Sequence, residues 1–273
     1  MDINHKLLVI DEISSVGELI KEIVNTDNNY TVCFANGKTE ADKIFAKQRP
    51  DLILLNSDRK ICLDIADYLK KVKDCPPFVI MGKGLETAKN NKSLKKLKLL
   101  DEIKLPFDID DLSQRLEEAC FMAEGLIDEV IGLYKKTCFE FKVNRLMQKK
   151  TKGVFFSISL NAYSFAANPS APLQIQMSVF ALKDGLKDGI LGINGNVVLG
   201  FIPTQEAKSK TEARLNKLIE TMHKAVEGPN IFTPAGAVQS QDFDFSLEDL
   251  FLYADRAMEL SKNEGKNLIK FYK

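Results

Sequence analysis

The stretch Pro50-Asp51-Leu52-Ile53-Leu54-Leu55-Asn56 decides the fold of the first half of the chain. An uninterrupted apolar run, opened by a proline and closed by a polar residue, fits a short strand with both faces covered. Upstream, Lys6–Ile10 is a similar run ending in Asp11-Glu12, followed by a helical pattern with Val16, Leu19, Ile20, Ile23 and Val24 on one face. Tyr30–Phe34 reads as a strand and Thr39–Lys47 as a helix. Downstream come a helix over Ile61–Val72, with Ile61, Ile65, Leu69 and Val72 inward, a strand at Phe78–Met81 after Pro76-Pro77, and a helix over Leu85–Leu97. A strand at Leu100–Ile103 and a helix from Asp108 close the series. Alternating β and α elements with continuous apolar strands predict a flavodoxin-like, doubly wound α/β domain. In that fold the chemistry sits at the carboxyl ends of the strands.

Those ends resemble a response-regulator receiver domain. The resemblance runs from about residue 5 to 120 and rests on Asp11-Glu12, the Pro50–Asn56 segment, Phe78–Met81 and Leu105-Pro106-Phe107. It implies a degenerate phospho-acceptor site at Asn56, Gly82, Leu105, Asp11 and Glu12. The family's phospho-accepting aspartate falls on Asn56, its Ser/Thr on Gly82 and its Lys on Leu105. An amide is a poor nucleophile and a weak metal ligand, glycine has no hydroxyl, and leucine no cation. The departures point to a pseudo-receiver that is not phosphorylated there, whether at Asn56 or at the nearby Ser57 and Asp58. Asp11-Glu12 reads either as a weak cation site or as a solvated acidic strand end.

From Ile109 the apolar residues recur as Ile109, Leu112, Leu116, Ala119, Ala123, Leu126, Val130 and Leu133, a heptad seam. Up to Ala119 it suits a helix packing on its own domain. Beyond that it predicts a continuous connector helix, with a homodimer or the next domain as its partner.

The second half opens a new series. Gly153–Leu160 reads as a strand and Leu173–Leu182 as a helix or strand end. Gly189–Gly192 and Val197–Ile202 flank Asn194-Gly195, a hairpin signal. A helix over Lys208–Val226, with Ala213, Leu215, Leu218, Ile219 and Met222 inward, a strand at Ile231–Val238, a helix over Leu247–Lys262 and a strand at Leu268–Tyr272 follow.

From about Asp128 onward this half resembles a GGDEF domain, the diguanylate cyclase family. The residues are Asp128-x-x-x-Gly132-Leu133-Tyr134 with Phe139 at the start, and Ala254-Asp255-Arg256-Ala257 with Lys262, Gly265, Lys266 and Asn267 at the end. The resemblance implies a nucleotidyl cyclase-type α/β fold and a degenerate cyclase site at Ser159, Asn161, Asn194, Gly195, Asn196 and Val197. Cyclases of that family hold two metal ions on carboxylates and activate a ribose hydroxyl of GTP. Here Ser159 and Asn161 stand at the first acidic positions, and Asn194-Gly195-Asn196-Val197-Val198 at the signature. The guanine-contacting asparagine falls on Ala167, beside Asn168, and the family's product-inhibition motif becomes Gly185-x-x-Asp188. Lys262, Lys266 and Asn267 read either as caps of the last helix or as residual nucleotide-binding residues.

The expected domains are therefore a pseudo-receiver over 1–120, a connector helix and opening GGDEF segment over 121–150, and a degenerate GGDEF-like domain over 151–273. Composition agrees with a soluble two-domain protein: 273 residues, 45% hydrophobic and 28% charged. Lys+Arg and Asp+Glu balance at 38 each, so no global field draws the chain to DNA or an anionic membrane. Five scattered cysteines and two separated histidines argue for a reducing, cytoplasmic setting with no zinc site. No run of 18 apolar residues predicts a membrane span. Lys89, Lys92, Lys95, Lys96, Lys98 and Lys104 read as a solvated face or a basic docking face, and Lys149-Lys150-Thr151-Lys152 as a solvated turn. The expected function is non-catalytic two-component and cyclic-di-GMP-type signalling by protein–protein interaction with another signalling protein, without metal or cofactor. The alternative is a GTP or cyclic-di-GMP sensor without turnover.

Overall fold

Leu52-Ile53-Leu54-Leu55 lies in the middle strand of a five-stranded parallel sheet. The computed structural model describes residues 4–24, 29–69, 71–72, 74–82, 94, 97–160, 171–225, 233–240, 245–265 and 268–272. The chain divides into two units, Met1–Gly125 and Leu126–Lys273.

The first unit runs β1 (His5–Ile10), α1 (Ser14–Val24), β2 (Tyr30–Ala35), α2 (Lys38–Lys47), β3 (Leu52–Asn56), α3 (Lys60–Leu69), β4 (Phe78–Gly82), β5 (Leu99–Lys104) and α4 (Ile109–Ala123). Strand order is β2-β1-β3-β4-β5, the flavodoxin-like doubly wound order. The strands are apolar throughout because each face has its own cover. Leu7, Val9, Leu52, Leu54, Val79 and Met81 pack with α1 and α4, whereas Leu8, Ile10, Ile53, Leu55, Phe78 and Ile80 pack with α2 and α3. The Asp108 carboxylate caps α4 by accepting from the Asp110 and Asp111 amides.

Three sequence expectations need correction here. Leu19 is 45% exposed, because α1 turns Gly17 onto the Phe34 ring and buries Ile20, Ile23 and Val24. The helix read as Ile61–Val72 ends at Leu69. The connector is not one continuous helix: α4 stops at Ala123, and Gly125 at φ +67° turns the chain away. Leu112, Leu116 and Ala119 are inside the first unit's core, Leu133 inside the second's, and Val130 is exposed. The seam is two stripes on different elements. Apart from Leu94 and Leu97, the helix expected at Leu85–Leu97 lies outside the described residues, with Lys89, Lys92, Lys95 and Lys96.

The second unit runs β6 (Tyr134–Lys135), α5 (Lys136–Gln148), β7 (Gly153–Ser159), α6 (Ala171–Gly185), β8 (Ile190–Asn194), β9 (Val197–Pro203), α7 (Lys208–Lys224), β10 (Ala235–Gln239), α8 (Leu247–Glu264) and β11 (Ile269–Phe271). Its sheet order is β11-β10-β7-β9-β8-β6. The segment β7-α6-β8-β9-α7-β10 is thus a βαββαβ unit with its first and third strands central. Val154, Phe156 and Ile158 face α6 and α7; Phe155, Leu199 and Phe201 face α5 and α8. α8 lies so close on β10 that a side chain at Gly236 would meet the Ala254 carbonyl at 2.0 Å. On α7 the inward stripe is Thr211, Leu215, Leu218, Ile219 and Met222; Ala213, expected inward, is exposed on the opposite side.

Candidate functional site

In the first unit β1 and β3 pair in parallel, with Ile10 opposite Leu55, so Asp11 and Asn56 leave the sheet side by side. Both are buried, at 0% and 7% exposure. The Asn56 amide donates from Nδ2 to the Asp11 Oδ2 at 2.6 Å, and its Oδ1 accepts from the Asp58 backbone N–H at 3.0 Å. The second Asp11 oxygen accepts from the Ile13 amide at 3.0 Å. Only this amide orientation pairs donor with acceptor at both contacts. Ser57 donates to the Met81 carbonyl from both its backbone N–H, at 2.8 Å, and its hydroxyl, at 3.2 Å. A Cβ at Gly82 would stand 2.4 Å from Ser57 Oγ and 2.8 Å from Asp58 Oδ1, so those side chains fill the space beside β4. Leu105 is half-buried and hydrogen-bonded by its amide to the Gly82 carbonyl. Glu12 is exposed. Burial first, then Asp11 and Glu12, push the neighbouring Cys62 thiol up to about 12, which keeps it an inert thiol.

These strand ends thus bring Asp11, Asn56, Gly82 and Leu105 to the same edge of the sheet. What the sequence did not reveal is that the polar groups satisfy one another. The amide group of Asn56 donates to one oxygen of the Asp11 carboxylate and the Ile13 amide to the other.

In the second unit Ser159 ends β7 and pairs in register with Val197, next to the hairpin turn. The Leu160 amide donates to the Asn196 carbonyl at 2.7 Å, and the Ser159 amide to the Pro234 carbonyl at 2.9 Å. Asn194, Gly195 and Asn196 are exposed at the turn, while Ser159 is buried at 6%. Gly195 adopts φ +57°, the left-handed conformation a tight turn asks of glycine, with open space where its Cβ would be. Asn161, Ala167, Asn168, Lys266 and Asn267 lie outside the described residues. Lys262 is exposed on the last turn of α8, 3.6 Å from Glu259.

The opening motif is architectural. Asp128 Oδ1 accepts from the Val130 and Ile131 amides at 3.0 Å, building the turn that returns the chain to β6. Asp188 ion-pairs with Arg214 of α7, whose hydrogen bond holds the carboxyl below its ordinary value. Arg214, 26 residues downstream of Asp188, carried no motif that would have singled it out. Among the described residues no group of three or more His, Cys, Asp or Glu is placed to hold a metal ion, and no helix is long and apolar enough to cross a membrane.

No protein-family profile matches the chain, and no curated protein does. Solved structures do. The first unit is similar to a response-regulator receiver domain protein from Clostridium thermocellum, at 23% identity and TM-score 0.38, covering 45% of this chain and 99% of that one. It is also similar to a response regulator from Thermotoga maritima, at 18% identity and TM-score 0.38, covering 43% and 98%. The chain is also similar to the coiled coil and GGDEF domain of DgcB from Caulobacter crescentus in complex with c-di-GMP, at 13% identity and TM-score 0.48, covering 60% of this chain and 93% of that one.

Proposed function

We propose that the chain is a signalling protein that performs no phosphoryl transfer and no cyclisation, and acts in the cytoplasm by binding another signalling protein. The observation that carries this reading is the 2.6 Å bond from the Asn56 amide to Asp11. A receiver switch needs a nucleophilic carboxylate there and an open place beside it for a phosphoryl group. Asn56 supplies neither an anionic, nucleophilic oxygen nor charge, and Ser57 and Asp58 occupy the place beside Gly82. The second unit repeats the logic. Serine at 159 and asparagine at 196, brought near one another by the pairing of β7 with β9, offer no carboxylate oxygens of the kind hard divalent cations need.

Two measurements test the reading. Incubated with GTP and Mg²⁺ or Mn²⁺, the protein forms no cyclic-di-GMP; turnover abolished by substitution at Ser159 or Asn196 would overturn the proposal. Calorimetric titration with GTP and with cyclic-di-GMP gives no saturable heat. Tight binding without turnover would make the chain a nucleotide sensor instead.

A further inference from the structure

A concentrated run of positive charge among the described residues lies along α5. Between residues 135 and 152 stand Lys135, Lys136, Lys142, Arg145, Lys149, Lys150 and Lys152 against Glu140 alone, seven cations to one anion, in a chain whose 38 cationic and 38 anionic side chains balance as a whole. Lys135, Lys142, Arg145 and Lys149 follow steps of seven, three and four, so they share one side of the helix. The ridge is about 20 Å long, from thirteen helical residues at ~1.5 Å each. Lys135, Lys149, Lys150 and Lys152 are exposed, and none has an ion-pair partner among the described residues. Burial lowers the Arg145 pKa from its ordinary value.

A second observation comes from the backbone. Lys150 sits at φ +55°, just past the end of α5, in the left-handed position that helices usually give to glycine. A cation is held there at the expense of backbone strain, and strain of that kind clusters at functional positions.

We infer that this ridge is a docking surface for an acidic segment of a partner protein. The inference rests on the reading of the chain as a protein-binding signalling module and names the chemistry of its partner. Nucleic acid fits less well. Six of the seven cations are lysine, whereas the guanidinium is the bidentate phosphate reader. The neighbouring aromatic rings already carry the chain's own cations: Lys142 lies 4.9 Å from the Tyr134 ring centre, Arg145 5.7 Å from Phe141 and Lys136 5.2 Å from Phe251. Their faces are not open for base stacking. A membrane surface fits less well still, because no large exposed apolar side chain stands along the ridge to enter it.

The test uses the full chain and three probes: a fluorescein-labelled glutamate-rich peptide of about 14 residues, long enough as a helix to span the ridge at ~1.5 Å per residue, a labelled oligothymidine, and anionic phosphatidylserine vesicles. The peptide binds with an affinity that falls as salt rises. The triple variant Lys149→Glu, Lys150→Glu, Lys152→Glu weakens peptide binding about tenfold or more, ~1.4 kcal/mol per tenfold. Lys95→Glu, Lys96→Glu, Lys98→Glu makes the same change in net charge elsewhere and leaves binding unaltered. Equal loss in both variants, undiminished binding in the first, no peptide binding by the wild type, or preference for the oligonucleotide or vesicle overturns the proposal. Lys150→Gly guards against misfolding: it relieves the backbone, so the melting temperature rises while peptide affinity falls, and a rise with unchanged affinity also counts against the ridge. Failure here leaves the GTP turnover and calorimetric tests standing, so the two readings fail separately.

Discussion

At Asn56 one nitrogen in place of one oxygen changes what a buried strand end does. A carboxylate beside Asp11 has to share a proton or gather a cation, because two such groups in contact cannot both remain ionised without one. The amide donates instead, and its own oxygen is taken by the Asp58 N–H, so the cluster is complete as it stands. The expectation for Asn56→Asp is therefore a loss of about 1–3 kcal/mol, the range for a buried polar group stripped of its partner. Mg²⁺ or mild acid restores part of it, while the wild-type melting temperature is indifferent to Mg²⁺. Thermal melts with and without Mg²⁺ decide the matter, and a Mg²⁺-dependent shift in the wild type refutes the account. The variant still takes no stable phosphoryl group from acetyl phosphate, since Gly82 has no hydroxyl and Leu105 no charge. The sequence alone showed which residues stand at the strand ends. It could not show that they close on each other, because that depends on the register of β1 against β3 and on the rotamer of Ser57.

Elements were legible where a local signal matched a tertiary one. The apolar strands of the first unit and the Asn194-Gly195 hairpin were readable because continuous burial and a left-handed turn leave distinct marks. The connector misled because a heptad pattern records spacing but not continuity. The packing stripe of α4 and the opening turn of the second unit happen to stay in phase across Gly125. Two predictions belong to this scale. α8 touches β10 backbone to backbone at Gly236, where the nearest atoms are the Ala254 carbonyl and the Met258 amide. Neither can rotate aside, so Gly236→Ala destabilises the second unit by about 3 kcal/mol, the upper end for overpacking, as urea unfolding will register; a change within ±0.5 kcal/mol means the helix can lift. On the other unit, Arg115 of α4 holds Asp101 of β5 by two 2.7 Å bonds and reaches the Glu102 carbonyl at 2.9 Å. Burial raises the Asp101 pKa, but the Arg115 hydrogen bonds, the Glu102 amide and the Arg115 charge together outweigh it, and the pKa is lowered from its ordinary value of 3.8. A depressed carboxyl pKa stabilises the fold above the ordinary value, and that stability disappears as pH falls through the folded value. Both side chains are 32% exposed, so solvent screening limits the pair to about 1 kcal/mol. Arg115→Met should therefore lower the melting temperature at neutral pH, and the gap to wild type should close as the pH drops below 3.8. A gap that persists in acid assigns the effect to lost packing.

At the scale of the whole molecule, each unit has core clusters of its own, two to each sheet, one on either face. Such units fold alone when cut in the right place. The sequence put the first boundary at residue 120, where the receiver-like pattern runs out; the structure puts it after Gly125. The difference has physical content. Phe121 is fully buried, and its ring meets the His5 ring edge-on at 5.3 Å. Glu124 closes on the same histidine, 2.5 Å from Nδ1, while Tyr30 packs against it at 5.2 Å. Residues 121–124 therefore cover the start of β1, and a pattern of repeats has no way to announce a cover made from the far end of the domain. Fragments Met1–Gly125 and Leu126–Lys273 should each unfold in a single cooperative transition, followed by circular dichroism. A first fragment ending at Cys120 should be less stable than one ending at Gly125 by about 3–5 kcal/mol, the amount that removing a buried phenylalanine side chain costs, with the His5–Glu124 pair adding to it. Adding back Phe121 to Glu124 with Glu124→Gln should recover most of that loss, because burying the Phe121 ring contributes more than the one His5–Glu124 hydrogen bond. Equal stability of the two first fragments would mean that the cover is loose in solution and that the domain ends where the sequence pattern does.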